Sequence, residues 1–334
     1  MGVSRRRWLW GPCGALVAVL AVALVAAGCG SSSSSSTASS TPSASAGGAS
    51  TATVAGVVIK ADPALHQLLP AKILNAGQIR VASDIPYAPW EYYDPATSKN
   101  PAGFDYDLSQ AIGATLGIKA AFVEQPYDTI ILSVTGGKND MIMSNMFDNA
   151  TREKQVSFVD YALDSEGLLV LKGNPHGIKT SADLAGKTVS TESGTYDQGV
   201  LEALNKQFKS AGKPQMQLLV LPTEPGALLA VSSGRAVATL SDYGVAKYTA
   251  QTAGNGNTFE VVQDPQANDF GGQAIVGAGI LKSDTQLVTA VQKALQQLID
   301  NGAYAKIINK YGLLPVKSAE VNTGGQPVSA SPSP

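Results

Sequence analysis

Short apolar or β-branched runs alternate along the central part of the chain with stretches of helical spacing. Gln78–Ser83 and residues 119–123 each predict a strand. Between them, Leu108, Ile112 and Leu116 fall at the intervals of a helix face. Strands that alternate with helices in this way predict an α/β protein built on parallel sheets.

A second apolar stripe lies near the C-terminal end, where Leu287, Val291, Leu295 and Leu298 repeat at helical spacing. Residues 301–302, Asn-Gly, follow as a helix stop signal. We interpret both stripes as core faces. Roughly 260 residues lie between the low-complexity ends of the chain, enough for two domains of ordinary size.

Residues 133–138 and 230–235 share a local pattern, in which a predicted helix ends at a glycine and a basic residue follows. Each segment leads through a short apolar run to a polar pair, Ser144-Asn145 in the first and Ser241-Asp242 in the second. In open α/β sheets, ligands bind beyond the carboxyl ends of strands. Two facing lobes of this kind would form a cleft, although short α/β units also resemble each other by chance.

The N-terminus has the order of an export signal: three arginines at residues 5–7, an apolar stretch over residues 9–27, and then Cys29. A retained anchor helix is the alternative, since the stretch is nearly long enough to span a bilayer. Residues 25–29, Val-Ala-Ala-Gly-Cys, resemble a lipobox, in which cleavage precedes a cysteine that is then acylated. We predict a lipoprotein signal peptide over residues 1–28, with Sec and twin-arginine export both open.

Polar sequence of low complexity flanks the folded part. We predict a flexible tether over residues 29–54, an N-terminal extension over residues 55–76 and a disordered tail over residues 317–334. Loss of the signal peptide would change the formal net charge from -2 to about -5, with no basic patch to recruit nucleic acid. A lipid anchor at Cys29 would hold the protein on the outer face of the cytoplasmic membrane.

Cysteine and histidine are too scarce to support metal or nucleophile chemistry. The two cysteines, Cys13 and Cys29, lie in or at the end of the predicted signal. His66 and His176 are the only histidines, and neither has a second ligand at metal-binding spacing. We therefore predict no metal site, no cofactor and no catalytic residue.

Several motifs occur in the order typical of one known family. They are Ser83-Asp84, Pro89-Trp90-Glu91, Gly103-Phe104-Asp105-Tyr106-Asp107-Leu108, Arg152-Glu153-Lys154, Phe158-Val159-Asp160, Ser193-Gly194-Thr195, Asn301-Gly302-Ala303-Tyr304 and Lys310-Tyr311-Gly312. From about residue 77 to 313 the chain thus resembles the bacterial extracellular solute-binding proteins of the amino-acid-binding type, family 3, which serve ABC importers. The resemblance implies the type II fold of periplasmic binding proteins, with two lobes and two crossover strands that form a hinge.

The resemblance also implies how the chain divides between the lobes. Lobe 1 would take residues 77–165 and 276–316, and lobe 2 would take residues 166–275. Residues 167–171 and 274–277 are the crossover candidates. The implied partners are a small polar solute, which closes the lobes, and the permease of an importer; we expect a monomer.

Family positions assign candidate ligand contacts at both lobes. Arg152 matches the residue that grips the α-carboxylate of an amino acid, for which a guanidinium is well shaped. Asp242 matches the acid that takes the α-ammonium from the second lobe. Gly194 and Thr195 precede a predicted helix, so that backbone N–H groups and the hydroxyl would hold the same carboxylate.

Other positions face the ligand's side chain. Tyr87 and Tyr127 match two aromatic residues that sandwich it, and ring faces suit both apolar stems and cationic heads. Asp84 matches a position that meets its distal polar group. Ser144 and Asn145 bring polar groups to the cleft at the end of a strand. We predict a polar amino acid or a related small amine or carboxylate, with a cationic or a neutral side chain.

The segment after Asn145 departs from the family pattern. Phe147 cannot donate a hydrogen bond, and Asp148 would repel a carboxylate if it faced the cleft. Either the carboxylate relies on Arg152 and the turn at residues 193–195, or the ligand is not an ordinary α-amino acid.

Two other functions are open from the sequence. The first is a dehydratase-like enzyme on the same fold, although no histidine lies near any motif. The second is a binding protein that senses a ligand for a membrane receptor.

Overall fold

The structure is a computed structural model that describes residues 50–262 and 273–324. The described chain begins with a hairpin of β1 (Thr51–Val54) and β2 (Val57–Lys60). Val54 and Ile59 are buried in the main core. The predicted tether is therefore wrong for Thr51–Val54, because these residues pair with a neighbouring strand and contribute an apolar side chain to the core.

Lobe 1 is the part of the chain on one side of the hinge, and its sheet and helices follow the predicted alternation. Its elements are α1 (Pro63–His66), α2 (Ala71–Ala76), β3 (Gln78–Ser83), β4 (Tyr92–Tyr93), β5 (Pro101–Ala102), α3 (Phe104–Thr115), β6 (Lys119–Glu124), α4 (Tyr127–Thr135), β7 (Met141–Ile142), α8 (Thr285–Asp300) and α9 (Ala303–Tyr311). The predicted strand β3 is confirmed, and it pairs in parallel with β6. The stripe of Leu287, Val291, Leu295 and Leu298 is buried along α8, as predicted.

Lobe 2 repeats the same kind of alternation. Its elements are β9 (Thr188–Glu192), α5 (Tyr196–Ser210), β10 (Gln217–Leu221), α6 (Glu224–Ser232), β11 (Ala238–Asp242), α7 (Tyr243–Thr252) and β12 (Phe259–Val262). Strand β9 pairs in parallel with both β10 and β11. Leu168, Val189, Leu201 and Leu240 are buried together in a core separate from that of lobe 1.

Two long antiparallel strands join the lobes, β8 (Val156–Leu171) and β13 (Gln273–Leu281). The strand order is β10-β9-β11-β8-β13-β7-β3-β6, with β12 also paired to β8. Along β8 the pairing partner changes from β13 to β11 between Ser165 and Glu166. The predicted type II fold with two crossover strands is confirmed by this topology. Among the described residues, no helix has the length and apolar character needed to cross a membrane.

The C-terminal segment packs back onto lobe 1 as far as Gly324. Val321 forms an isolated β-bridge with Val159. The Thr323 hydroxyl donates to Asp160 Oδ2 at 2.9 Å, and its N–H donates to Asp148 Oδ2 at 3.0 Å. The prediction of a disordered tail from residue 317 is therefore wrong for residues 317–324, because these donors serve buried carboxyl groups.

We expect truncation after Lys317 to lower the free energy of unfolding by roughly 2 to 4 kcal/mol, since it leaves buried acceptors without donors. Truncation after Gly324 is the matched control and should leave stability close to that of the parent. Urea denaturation of the ligand-free protein measures both. Equal stability of the two truncated proteins would contradict the structural role of residues 318–324.

Candidate functional site

The carboxyl ends of strands β3, β7, β9 and β11 meet at the cleft between the lobes, where side chains surround a small cavity. The side chains around it come from both lobes. They are Asp84, Tyr87, Glu91, Tyr127, Ser144, Asn145, Phe147, Glu192, Thr195, Tyr196, Asp197 and Asp242. Seven of the residues predicted from the sequence are in this set; Arg152 and Gly194 are not. Cys29 lies outside the described residues.

Asp242 is the point at which the two lobes bond directly. It ends β11 in lobe 2, and its Oδ2 accepts a hydrogen bond of 2.6 Å from the Tyr87 hydroxyl of lobe 1. The side-chain amide of Asn145, also from lobe 1, donates to the same oxygen at 2.8 Å. Only 7% of Asp242 is exposed. The cleft is thus in a closed arrangement around this carboxyl group.

Asn145 takes a backbone conformation that fits its position. Its φ of 39° lies in the left-handed region, which Asn tolerates better than most residues. Its N–H donates to Asp105 Oδ2 at 2.7 Å. Asp105 belongs to the Gly-Phe-Asp motif at the start of α3, so this motif orients a cleft residue without lining the cavity itself.

Asp84 is held by a short hydrogen-bond chain in lobe 1. Its N–H donates to Ser144 Oγ at 2.9 Å, and the Ser144 hydroxyl donates to Glu91 Oε1 at 2.7 Å. The Tyr127 N–H donates to Asp84 Oδ2 at 3.2 Å. Ser144 thus links the backbone of Asp84 to the side chain of Glu91.

Arg152 lies beside the cavity and is already engaged by lobe 1. It starts a short 3-10 turn and is 8% exposed. Its Nη1 donates to the Phe147 carbonyl at 2.9 Å, and the guanidinium carbon lies 5.7 Å from the centroid of the Tyr127 ring. Phe147 itself packs edge-on against Tyr196, with 5.3 Å between ring centroids.

Gly194 and Thr195 build the loop before α5. The Gly194 N–H donates to Gln198 Oε1 at 2.9 Å. Thr195 Oγ1 donates to the Glu192 carbonyl at 2.9 Å and accepts from the Gln198 N–H at 3.2 Å, which makes Thr195 the N-cap of α5. A Cβ at Gly194 would lie 2.9 Å from Asp128 Cα, so glycine allows the two lobes to approach.

Asp148 does not line the cavity. It is 2% exposed, and its Oδ2 accepts from both the N–H and the hydroxyl of Thr323. The repulsion of a ligand carboxylate that the sequence raised for Asp148 therefore does not arise at this residue.

Four cavity residues were missed by the sequence reasoning: Glu91, Glu192, Tyr196 and Asp197. Glu91 is the last residue of the Pro-Trp-Glu motif, and Glu192 directly precedes the Ser-Gly-Thr motif, but the sequence analysis predicted other residues as ligand contacts. Asp197 comes two residues after Thr195, in the first turn of α5. The available signal was that Glu192 ends the predicted strand just before the Ser-Gly-Thr turn, since the carboxyl ends of strands face the cleft.

The cleft concentrates acidic groups away from water. Burial, followed by repulsion from neighbouring carboxylates, raises the pKa of Glu192 to about 11 and the pKa of Glu224 to about 8. Burial also raises the pKa of Asp164 to about 7, and that of Asp242 well above its ordinary range. Because charged carboxylates are poorly solvated here, each holds its proton to a higher pH than in water.

Three carboxyl groups come especially close to one another. One oxygen each from Glu166, Asp197 and Asp242 lies within 4.8 Å of the other two. The prediction of no metal site rested on the cysteines and histidines alone and did not consider these three acids. Chemically, such a cluster can bind a cation, whether a metal ion or an ammonium group.

A hinged pair of α/β lobes that closes over buried polar groups at the carboxyl ends of its strands defines a solute-binding protein. The model of the bacterial extracellular solute-binding proteins, family 3, matches residues 79–313, and the chain belongs to this family. The resemblance predicted from the motifs is thereby confirmed.

Curated relatives and solved structures agree with this assignment. The chain is 28% identical to a histidine-binding periplasmic protein of Salmonella typhimurium, over 70% of this chain and 87% of the relative. It is 29% identical to a lysine/arginine/ornithine-binding periplasmic protein of Escherichia coli, over 70% and 86%. An ancestral amino acid-binding protein, a precursor of cyclohexadienyl dehydratase, matches with a TM-score of 0.62 and 30% identity, over 72% of this chain and 97% of that one.

The raised pKa values predict that the ligand-free protein loses stability as pH rises. At about pH 4 a typical carboxyl group begins to ionise in the unfolded chain, whereas Asp164 and Glu224 keep their protons to about pH 7 and about pH 8 when folded. Between its pKa in the unfolded chain and its pKa in the folded protein, each such group lowers the free energy of unfolding by about 1.4 kcal/mol per pH unit.

Urea denaturation of ligand-free protein at pH 5 and pH 8 measures the effect. Glu224→Gln removes one of these groups, so the parent should lose stability relative to this variant as pH rises. A parent that gains stability relative to Glu224→Gln between pH 5 and pH 8 would show that Glu224 is ionised and stabilised in the fold.

Proposed function

We propose that this chain is the substrate-binding lipoprotein of an ABC importer. It captures a polar amino acid or a related small amine or carboxylate between its lobes and delivers it to a permease. The observation that carries the proposal is the closed cleft, in which Tyr87 and Asn145 of one lobe bond Asp242 of the other around a cavity lined by polar groups. The names of the curated relatives, which bind histidine or lysine, arginine and ornithine, support the amino-acid class.

The proposed contacts follow from the positions of the side chains. Asp242, Asp84 and Asn145 offer acceptors and a donor to the polar groups of the solute. Tyr87 and Tyr127 supply ring surface at the cavity. Thr195 lines the cavity with its hydroxyl bonded to the Glu192 carbonyl. Arg152 and Gly194 are not lining residues, and each donates one hydrogen bond within the protein.

We propose that the protein is a monomer. The proposed function involves no catalysis, no cofactor and no nucleic-acid partner. The competing function is that of an enzyme, because one solved relative is an ancestral amino acid-binding protein that is a precursor of cyclohexadienyl dehydratase. Release of a chemically altered solute after incubation would favour the enzyme. A ligand-sensing role for a membrane receptor would be favoured if the bound protein engaged a receptor and no permease.

A thermal-shift screen of amino acids, opines and small amines tests binding. A solute at a hundred times its dissociation constant should add about 2.7 kcal/mol to the stability of the folded protein. If the cognate solute is cationic, Asp242→Ala should weaken its binding at least about thirtyfold, because loss of one partner of a buried charge pair costs roughly 2 to 5 kcal/mol.

Asp300→Ala is the matched control for this measurement, because Asp300 is an exposed acid at the end of α8, remote in sequence from the cleft strands. Calorimetry should give it the affinity of the parent. Equal affinity of Asp242→Ala and Asp300→Ala would show that Asp242 does not contact the solute. If no solute in the screen stabilised the protein, the proposed function would be contradicted.

Attachment through Cys29 completes the proposal. A single acyl chain holds a protein only weakly at a membrane, so that retention needs the several chains of a lipoprotein. The polar residues 30–49 that follow Cys29 offer no other apolar anchor.

We expect Cys29→Ser to release the protein from the membrane or to leave the signal peptide uncleaved. Cell fractionation and the mass of the N-terminal peptide measure the two outcomes, with Cys13→Ser as the matched control. A Cys29→Ser protein that is cleaved and retained like the parent would contradict lipid anchoring.

A further inference from the structure

Apart from tyrosines, the ionisable side chains that line the cavity are all acids. Five carboxyl groups line it, from Asp84, Glu91, Glu192, Asp197 and Asp242. Within the part of the chain that the structure describes, no Lys, Arg or His side chain is among the lining residues. Glu91, Glu192, Asp197 and Asp242 are each less than a tenth exposed. A binding site of this charge favours cations and disfavours anions.

Four of these acids belong to two groups. We call the first the hinge cluster: Asp197 and Asp242 together with Glu166, which does not line the cavity, and the nearest oxygens of the three lie within 4.8 Å of each other. No protein donor among the described residues reaches Asp197 Oδ1 or either carboxyl oxygen of Glu166, although all three oxygens are shielded from solvent. Asp197 is 3% exposed and lines the cavity. Buried acceptors without donors are rare in folded proteins. A proton shared between Glu166 and Asp197 satisfies part of this cluster, and a cationic donor could take the place of that proton.

The second group is the cleft pair, Asp84 and Glu192. Asp84 follows β3 in lobe 1, and Glu192 ends β9 in lobe 2. Their carboxyl groups hydrogen-bond each other across the closed cleft, and this bond raises the pKa of Glu192 while it favours the ionised form of Asp84. Two facing carboxylates are stable only with a proton or a cation between them.

The place where a ligand carboxylate would be received is occupied by acid. The Gly194 N–H is used by Gln198, and the Thr195 hydroxyl is used by the Glu192 carbonyl. Asp197 stands in the first turn of α5, at the helix end that otherwise attracts anions. Arg152 lies beside Tyr127, donates to the Phe147 carbonyl and is not among the lining residues, although its charge also lowers the pKa of Asp197.

We propose that the cleft binds an organic dication without a carboxylate, a linear diamine or a guanidino-amine, with one cationic end at the hinge cluster and the other at the cleft pair. This inference rests on the proposed solute-binding function and names its substrate class. Phe147, Tyr127 and Tyr196 line the cavity and suit the methylene stem of such a molecule. These rings also distinguish the site from a metal site, which would be walled by oxygen ligands throughout.

The test compares three pairs of ligands that differ only by a carboxylate: 1,4-diaminobutane with ornithine, 1,5-diaminopentane with lysine, and agmatine with arginine. Calorimetry on the parent protein should give at least one amine an affinity roughly tenfold or more above that of its amino acid, the effect of one unfavourable charge contact. Calcium and manganese chlorides are tested alone at the same concentrations.

Each other outcome has a separate meaning. Tighter binding of the amino acid in every pair overturns the dication proposal and leaves the proposed import function standing. Binding of calcium or manganese without any amine assigns the hinge cluster to a metal ion and also overturns it. Failure of every solute in the wider screen contradicts the proposed function itself.

Two variants locate the cationic ends. Asp197→Asn and Glu192→Gln should each weaken binding of the preferred amine roughly tenfold or more. Asp197→Asn should also shift the ratio of affinities toward the amino acid, since it removes the charge that faces a carboxylate. That ratio is measured within one protein sample and does not depend on the folded fraction. An unchanged ratio in Asp197→Asn would overturn the exclusion of carboxylates, and Asp300→Asn serves as the control.

Discussion

The closed form of the protein depends on hydrogen bonds to one buried carboxyl group, that of Asp242. Lobe 2 supplies the acid, and lobe 1 supplies the donors from Tyr87 and Asn145. A buried carboxyl group without donors is costly, whereas two short hydrogen bonds offset much of that cost. Closure is therefore favoured only when the lobes bring donors and acceptor into register, which the strained backbone of Asn145 and its bond to Asp105 secure on the lobe 1 side.

The hinge and the site share residues, so that binding and closure are physically linked. Strand β8 carries Asp164 and Glu166 at the point where its pairing changes from β13 to β11. Asp164 accepts from the backbone N–H groups of Ser165 and Gly244, and Glu166 lies against Asp197. A cation placed among these acids would interact with the hinge strand and with both lobes at once, and a ligand shifts a conformational equilibrium by its difference in affinity for the two states.

The periodicity of apolar residues predicted helices and strands that bury one face. The order of the motifs predicted the two-lobed topology through the family resemblance. Strand β3 and helix α8 follow from local patterns whose cause is core burial, whereas the two crossovers were implied by the family resemblance. The site was harder, because the role of a polar residue depends on partners distant in the chain. Gly194 and Thr195 were expected to offer donors to a ligand, but Gln198 and Glu192 take them. The ordered end of the chain was missed because its packing rests on Thr323 and Val321, two residues in a low-complexity context.

The high density of acids raises the question of how the empty cleft stays folded. Burial and repulsion from neighbouring carboxylates raise the pKa of Asp84, Glu192 and Asp242, so that protons neutralise much of the site in the absence of a ligand. A carboxyl group that holds a proton can donate to a neighbouring carboxylate, as Glu192 does with Asp84. A cation that enters must replace these protons, and its net affinity is the difference between its own attraction to the carboxylates and the cost of deprotonating them. This competition weakens binding relative to the bare Coulomb attraction, and it allows a strongly acidic cleft to release a cationic solute.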